Sequence, residues 1–416
     1  MKKIKLTTDV KVLKTNVIDT LEFRLVYPIK HHNDNGTYIR FLNLFISTTS
    51  AKFPSNSEFY TEKLKKTVLG LNIRELTILD NSYIIFSFTT PRVGLLKDFN
   101  LEKTFKFAID TLLNPYAENG EFNKEKLASE IEYTYNNYKR SKDSIYSSNS
   151  NQFYDYIDPE ELLGNSYAKA GEVIKGVTPK KLYDFYKKNI LENTFIPYVY
   201  GNISVTDAKK LFKKYIPQDK KEVSFNVNHF KPMPMKTHTY QEIKTPFNQS
   251  ELCLEFQVDM KKTEVKYLST LVNILNGAEN NLIFEALRVK NNLVYDVQMS
   301  TFSSRAMFII IAFIPSNKYK ETKKIIKSVF TKLKDKEFLT LCLNKLIKGL
   351  EVDLLREEDS QGKLLNNTIN NDLDILTTEE LLERTKSVKV DDLIKFIDRI
   401  KITNEMFFRG EENDKA

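Results

Sequence analysis

The sequence predicts an α+β fold in two related halves joined by a linker, and three observations predict it. The first is an internal repeat. Residues 174–215 read IKGVTPKKLYDFYKKNILENTFIPYVYGNISVTDAKKLFKKY, and residues 385–410 read TKSVKVDDLIKFIDRIKITNEMFFRG. Val177 pairs with Val388, Leu182 with Leu393 and Phe185 with Phe396, and each helical run leads to an aromatic-rich strand ending in Gly201 or Gly410. A period near half the chain length indicates duplicated domains, not a solenoid. The second is the mixture of strand-like and helix-like segments that precedes the repeat in both halves. The third is the Pro-bearing, charged segment between them.

Each element follows from its own pattern. Residues 82–90 (SYIIFSFTT) and 251–258 (ELCLEFQV) alternate as strands do. Residues 101–114 and 317–334 space their apolar positions at the helical period. Residues 122–149 and 337–358 read as long helices placed just before the repeated element. Pro217, Pro232, Pro234 and many charges mark 216–236 as a linker. The expected division is therefore 1–215, the linker 216–236, and 237–416.

Composition narrows the function classes. With 41% hydrophobic and 28% charged residues over 416 positions, each half is long enough to bury a core. The net charge of +8 comes from basic residues dispersed among acids. That gives nucleic acid little support as a partner and suits an electropositive cavity for acidic peptides equally well. Cys253 and Cys342 lie in apolar runs and are expected to be buried thiols, with no disulfide framework. The start Met1-Lys2-Lys3-Ile4-Lys5 lacks a signal peptide's apolar stretch, and no run nears the roughly 18 apolar residues of a membrane span. A cytoplasmic location without membrane association is the expectation. Phosphate loops, paired C-x-x-C cysteines and a G-x-S-x-G elbow are absent.

The most informative stretch runs from Asn276 to Tyr295 (NGAENNLIFEALRVKNNLVY). A glycine turn at Gly277 leads into an apolar run, then Arg288, then Tyr295 seven residues on. Arginine offers a permanent charge and five fixed donors, suited to a peptide carbonyl or carboxylate. Tyrosine offers a neutral donor for a developing oxyanion. A continuous helix would set both on one face. Asn291-Asn292 argues instead for a break, with Tyr295 opening a strand. Read bare, the stretch is a helix end with a surface Arg and a half-buried Tyr.

The same residues resemble the substrate-binding element of insulinase/pitrilysin-type zinc peptidases, roughly G-x-x-S-x-L-F-x-x-[LV]-R-x-x-x-x-L-x-Y. Arg288, Leu293 and Tyr295 stand at the family spacing, while Ile283 replaces a Leu and Gly277 sits one place early. The resemblance implies two similar halves, each an antiparallel sheet covered by helices. It also implies that Gly277, Arg288 and Tyr295 bind substrate, and that Arg288 and Tyr295 act on a scissile peptide.

The family's zinc motif, H-x-x-E-H, is not kept. Thr48-Thr49-Ser50-Ala51-Lys52-Phe53-Pro54-Ser55 resembles the segment that follows that motif. Counting back places Arg40, Asn43 and Leu44 at the first His, the Glu and the second His. Arg and Leu cannot ligate zinc, and Asn cannot take a proton from water. Glu125 and Glu132 have the spacing of the family's later glutamate pair, but a solvated helix face explains them as well. His31 and His32 are adjacent in what reads as an exposed turn and make a poor chelating pair. His229 lies in the linker and His238 beside it, and a loop metal site from the two with a carboxylate has little support.

No metal is therefore expected in this chain, and the zinc is expected in a partner. The resemblance then implies a zinc-less subunit of a heterodimeric peptidase, paired with a zinc-bearing homologue and acting on short or unfolded peptides. Some such pairs mature ribosomally made peptides, including bacteriocins. The competing expectation is a catalytically silent peptide-binding or scaffold protein of the same fold. Retention of both Arg288 and Tyr295 weighs against pure scaffolding.

Overall fold

The computed structural model describes residues 3–5, 10–16, 18–78, 81–158, 169–216, 224–226, 230–277, 280–355 and 378–411. In chain order the elements begin with β1 (Lys3–Lys5), β2 (Lys11–Leu13), β3 (Thr20–Lys30), α1 (Asn35–Thr48), α2 (Asn56–Lys65), β4 (Gly70–Ile78) and β5 (Asn81–Pro91). There follow α3 (Leu101–Leu113), β6 (Ala117–Glu118), β7 (Glu121–Phe122), α4 (Lys124–Ser141), α5 (Ile145–Ile157), α6 (Ala170–Gly176), α7 (Pro179–Tyr186), β8 (Ile196–Gly201), α8 (Val205–Tyr215) and β9 (Ser224–Asn226). The later part comprises β10 (Thr239–Lys244), β11 (Ser250–Gln257), α9 (Val265–Asn276), α10 (Leu282–Phe284), β12 (Asp296–Phe302) and β13 (Met307–Ile314). It closes with α11 (Tyr319–Lys332), α12 (Lys336–Leu355), α13 (Thr378–Lys386), α14 (Val390–Asp398) and β14 (Lys401–Arg409).

The chain divides into two units, Met1–Arg140 with Glu160–Val227, and Ser141–Pro159 with Asn228–Ala416. Each is built on a five-stranded sheet, ordered β2-β8-β3-β5-β4 in the first and β10-β14-β11-β13-β12 in the second. The orders correspond strand for strand. In each sheet the first pair (β2 with β8, β10 with β14) is parallel and the remaining pairs are antiparallel. The expectation of a wholly antiparallel sheet is corrected at that one pair. The repeated element closes each sheet in the same place, because β8 and β14 are equivalent. By the same correspondence, the partner of β11 is β3 and that of β5 is β13. The alternating segments 82–90 and 251–258 thus belong to non-equivalent strands, since alternation marks a strand and not its place in a sheet.

In the first unit Leu21, Phe23, Leu25 and Tyr27 of β3 and Ile84, Phe86 and Phe88 of β5 face one core. Phe105 of α3 packs edge-on to Phe88 at 5.6 Å between ring centres. Helix α1 also contributes Phe41, Leu42, Phe45 and Ile46. In the second unit Leu252, Leu254 and Phe256 of β11 meet Phe308, Ile310 and Ala312 of β13 and Leu268, Leu271 and Leu275 of α9. Strand β13 is buried on both faces, consistent with its unbroken apolar sequence MFIIIAFI.

The units part at Val227 and Asn228, inside 216–236, while two other sequence readings need amendment. The long helix expected over 122–149 is two helices, ending at Ser141 and restarting at Ile145. The second of them, α5, groups with the C-terminal unit, so residues 1–215 are not one body. It is held there by Ser150, whose hydroxyl donates to Glu251 at 2.5 Å, and by Tyr154, which donates to Ser300 at 2.9 Å. The segment 216–236 is tied down where it is described. Strand β9 pairs with β1, and Lys231 and Met233 donate backbone hydrogen bonds to Ser304 (2.9 Å) and Arg305 (3.0 Å). Pro217 lies outside the described residues.

Candidate functional site

Helix α9 stops at Gly277, whose N–H donates to the Asn273 carbonyl at 2.7 Å. A Cβ here would lie 2.3 Å from that carbonyl oxygen, so glycine is required by space. Ala278 and Glu279 lie outside the described residues. The chain re-enters a helical turn at α10 and passes directly into a π turn over Glu285–Val289, closed by Lys290 donating to Glu285 at 3.0 Å. Arg288 sits in that π turn. Single π turns within helices are frequent at functional sites because they re-aim a side chain.

The helix then breaks, as the Asn291-Asn292 pair predicts. Asn292 takes φ +49, the left-handed conformation that asparagine tolerates better than most residues. Leu293 donates back to the Leu287 carbonyl at 2.8 Å and is buried, which fixes the exit of the turn. Tyr295 immediately precedes β12, and its N–H donates to the Phe313 carbonyl of β13 at 3.0 Å.

This turn brings Arg288 back onto the peptide that joins Val294 to Tyr295. The Arg288 Nη1 group donates to the Val294 carbonyl at 2.9 Å and to Asn292 Oδ1 at 2.9 Å. Arg288 is exposed, and Tyr295 is 64% exposed, well above what a half-buried strand residue shows. The element therefore exposes both Arg288 and Tyr295 on one turn, with Leu287, Leu293 and Val294 buried beneath it.

The positions of the lost zinc motif do lie on a helix, α1, but none is arranged for a metal. Arg40 is exposed. Asn43 Oδ1 accepts from the Ile73 backbone N–H at 2.9 Å, capping an amide on the free side of edge strand β4. Leu44 packs against the first core. Glu125 and Glu132 are both exposed on α4. The side chain that α4 does turn toward α1 is Lys126, whose Nζ donates to Thr48 Oγ1 at 2.8 Å and lies over the Phe45 ring at 5.6 Å. Burial holds its pKa below the usual lysine value. These residues do not fit a zinc ion. Among the described residues no group of three or more His, Cys, Asp or Glu is placed to hold a metal.

The histidines have other partners. His31 is half-buried, with Nδ1 2.9 Å from Ser82 Oγ, so the exposed-turn reading holds for His32 and not for His31. Asn35 is buried as the first residue of α1 and donates to the Lys30 carbonyl at 3.0 Å. His238 Nε2 lies 2.9 Å from Glu405, a buried carboxylate that Lys323 and Tyr319 also engage. His229 lies outside the described residues. Both cysteines are free and buried.

Residues 176–345 match the family model described as the Peptidase M16 inactive domain. That part of the chain is similar to the M16, or insulinase/pitrilysin, family. No curated protein matches it by sequence. Solved structures share the M16 fold along the whole chain at low identity. A conserved protein from Enterococcus faecalis V583 is 17% identical, with 99% of this chain and 100% of that chain covered and a TM-score of 0.79. A protease from Helicobacter pylori is 15% identical, with 98% of each chain covered and a TM-score of 0.72. A peptidase M16 inactive domain from Pseudomonas fluorescens is 14% identical, with 100% of this chain and 99% of that chain covered and a TM-score of 0.69. The inactive-domain match takes in the Arg288–Tyr295 turn.

Sequence reasoning missed Asn292 as a contact of Arg288 and read it only as a helix breaker. It also missed Lys126, which follows Glu125 directly. In both cases the signal was a neighbour of the residue singled out, and side-chain direction decided which of the two faced the element of interest.

Proposed function

We propose that this chain is the metal-free subunit of a two-chain M16-type peptidase and lends Arg288 and Tyr295 to a zinc site carried by a homologous partner. The observation that carries the reading is the folding back of Arg288 onto the Val294–Tyr295 peptide, with the side chains of both Arg288 and Tyr295 exposed. The degenerate α1 helix supports it from the other side, since nothing at Arg40, Asn43 or Leu44 could hold the metal such chemistry needs.

The partner's zinc would supply an activated water. This chain's residues would bind and orient. Arg288 anchors a peptide carbonyl or carboxylate through a fixed fork. Tyr295 donates its phenolic proton in a hydrogen bond to the oxygen on which charge develops, without giving that proton up. Substrates would be short or unfolded peptides, with maturation of a ribosomally made peptide such as a bacteriocin as one setting, in the cytoplasm.

A silent peptide-binding or scaffold role draws on a different observation: Arg288 already spends two donors on its own turn. Mixing experiments separate the two. The chain is expected to form a complex with a zinc-bearing homologue encoded beside it, seen by size-exclusion chromatography. Cleavage of an unstructured peptide by the mixture is expected to exceed that by the homologue alone. No gain in any mixture would leave only the scaffold role standing.

A further inference from the structure

We infer that Asn292 is a positioning residue for Arg288, selecting which edge of the guanidinium meets the peptide. The inference rests on the proposed role of Arg288 and adds a residue that the M16-type pattern leaves unspecified. Arginine has five N–H donors: one on Nε and two on each Nη. Both Nη1 hydrogens have acceptors on the chain's own turn, Asn292 Oδ1 at 2.9 Å and the Val294 carbonyl at 2.9 Å. The remaining donors lie on Nε and Nη2, the edge that forms the two parallel bonds of a fork on a carboxylate. Arg288 is exposed, so this edge is open to a ligand. The ligand class that fits is a planar group with two acceptor oxygens, a peptide's terminal or side-chain carboxylate.

Asn292 does two things at once. Its backbone takes the left-handed φ of +49 that ends the helix, a conformation glycine adopts more easily. Its side chain supplies the oxygen that fixes the guanidinium. Glycine would serve the turn better and lose the oxygen, whereas aspartate would keep both. A purely conformational role and a positioning role therefore predict opposite results for Asn292→Gly.

The test uses the chain alone. Phenylglyoxal labelling of Arg288 is followed by mass spectrometry, with exposed Arg140 as internal reference, alongside affinity for a fluorescein-labelled unstructured peptide bearing a free C-terminal carboxylate and its C-terminally amidated twin. Asn292→Gly is expected to speed labelling of Arg288 and to weaken binding of the carboxylate peptide about fivefold, the size of one lost hydrogen bond, with melting unchanged or raised. Asn292→Asp is expected to bind like wild type, and the amidated peptide to lose most of the difference between variants. Wild-type labelling and affinity in Asn292→Gly would overturn the inference. Arg288→Ala separates the two layers. If it weakens binding and Asn292→Gly does not, only the positioning role fails; if it too binds like wild type, the peptide-anchoring role of Arg288 fails and the inference with it.

Discussion

Arg288 and Asn43 show how a residue, placed by its local backbone, acquires a job that the bare sequence leaves open. Asn43, which the resemblance sets at the motif's glutamate, has its oxygen committed to the Ile73 amide on the edge of the first sheet. Asn43→Ala is expected to cost about 1 kcal/mol of stability, from one lost hydrogen bond, and to leave peptide binding intact. Denaturant melts with the peptide-affinity assay check both halves of that statement. Gly277→Ala forces a methyl to 2.3 Å from a carbonyl oxygen and is expected to cost about 1–3 kcal/mol, read as a lower melting temperature. At Arg288, lysine keeps the charge and loses the planar fork, so Arg288→Lys is expected to restore peptide affinity only in part relative to Arg288→Ala. At this scale the sequence exposed the residue types and spacings. A solvated face for Glu125 was among its readings; the turn of Lys126 toward α1 was not, because helix faces are assigned only once a partner surface exists.

Helix α5 is the element whose placement departs most from its sequence position. It lies over the second sheet, where Glu251 of β11 is fully buried beside Ser150 and Cys253. The cross-strand neighbours of Glu251 are Phe313 and Phe408, which bring no charge to offset burial. Burial therefore pushes its carboxyl from 4.5 up to about 7. The facing titratable groups, Tyr154 and Cys253, are themselves pushed up by burial and stay neutral in this range. An acid raised in the folded state favours folding fully below its unfolded value and loses that contribution as pH climbs from about 4.5 to about 7. The loss is on the order of 3 kcal/mol and is complete above pH 7. Hydrogen exchange of residues 145–157, corrected for intrinsic rates, is expected to quicken over that window. Glu251→Gln, which keeps an acceptor for Ser150, is expected to flatten the dependence. An equal pH dependence in the variant would contradict the account. The sequence made β11 legible as a strand through its alternation. Its full burial, Glu251, Glu255 and Gln257 included, was not legible, because alternation does not say what covers the polar face.

For the whole molecule, duplication was the most legible feature, since the V-x-x-x-x-L-x-x-F helix and its following strand recur and close equivalent sheets. Matching individual strands between the halves was not legible, because alternation carries no information about sheet order. The chain has the M16-type fold, and among its described residues no group is placed to hold a metal. The central claim is that the binding element acts on a partner's zinc. Turnover of an unstructured peptide by the reconstituted pair, with wild-type chain against Tyr295→Phe, tests it most directly. Only an exposed hydroxyl is removed, so folding and pairing are expected to be unchanged, while kcat falls about 10²–10³-fold, as for loss of one oxyanion donor. Wild-type kcat in the Tyr295→Phe complex, with pairing confirmed by size-exclusion chromatography, would contradict it.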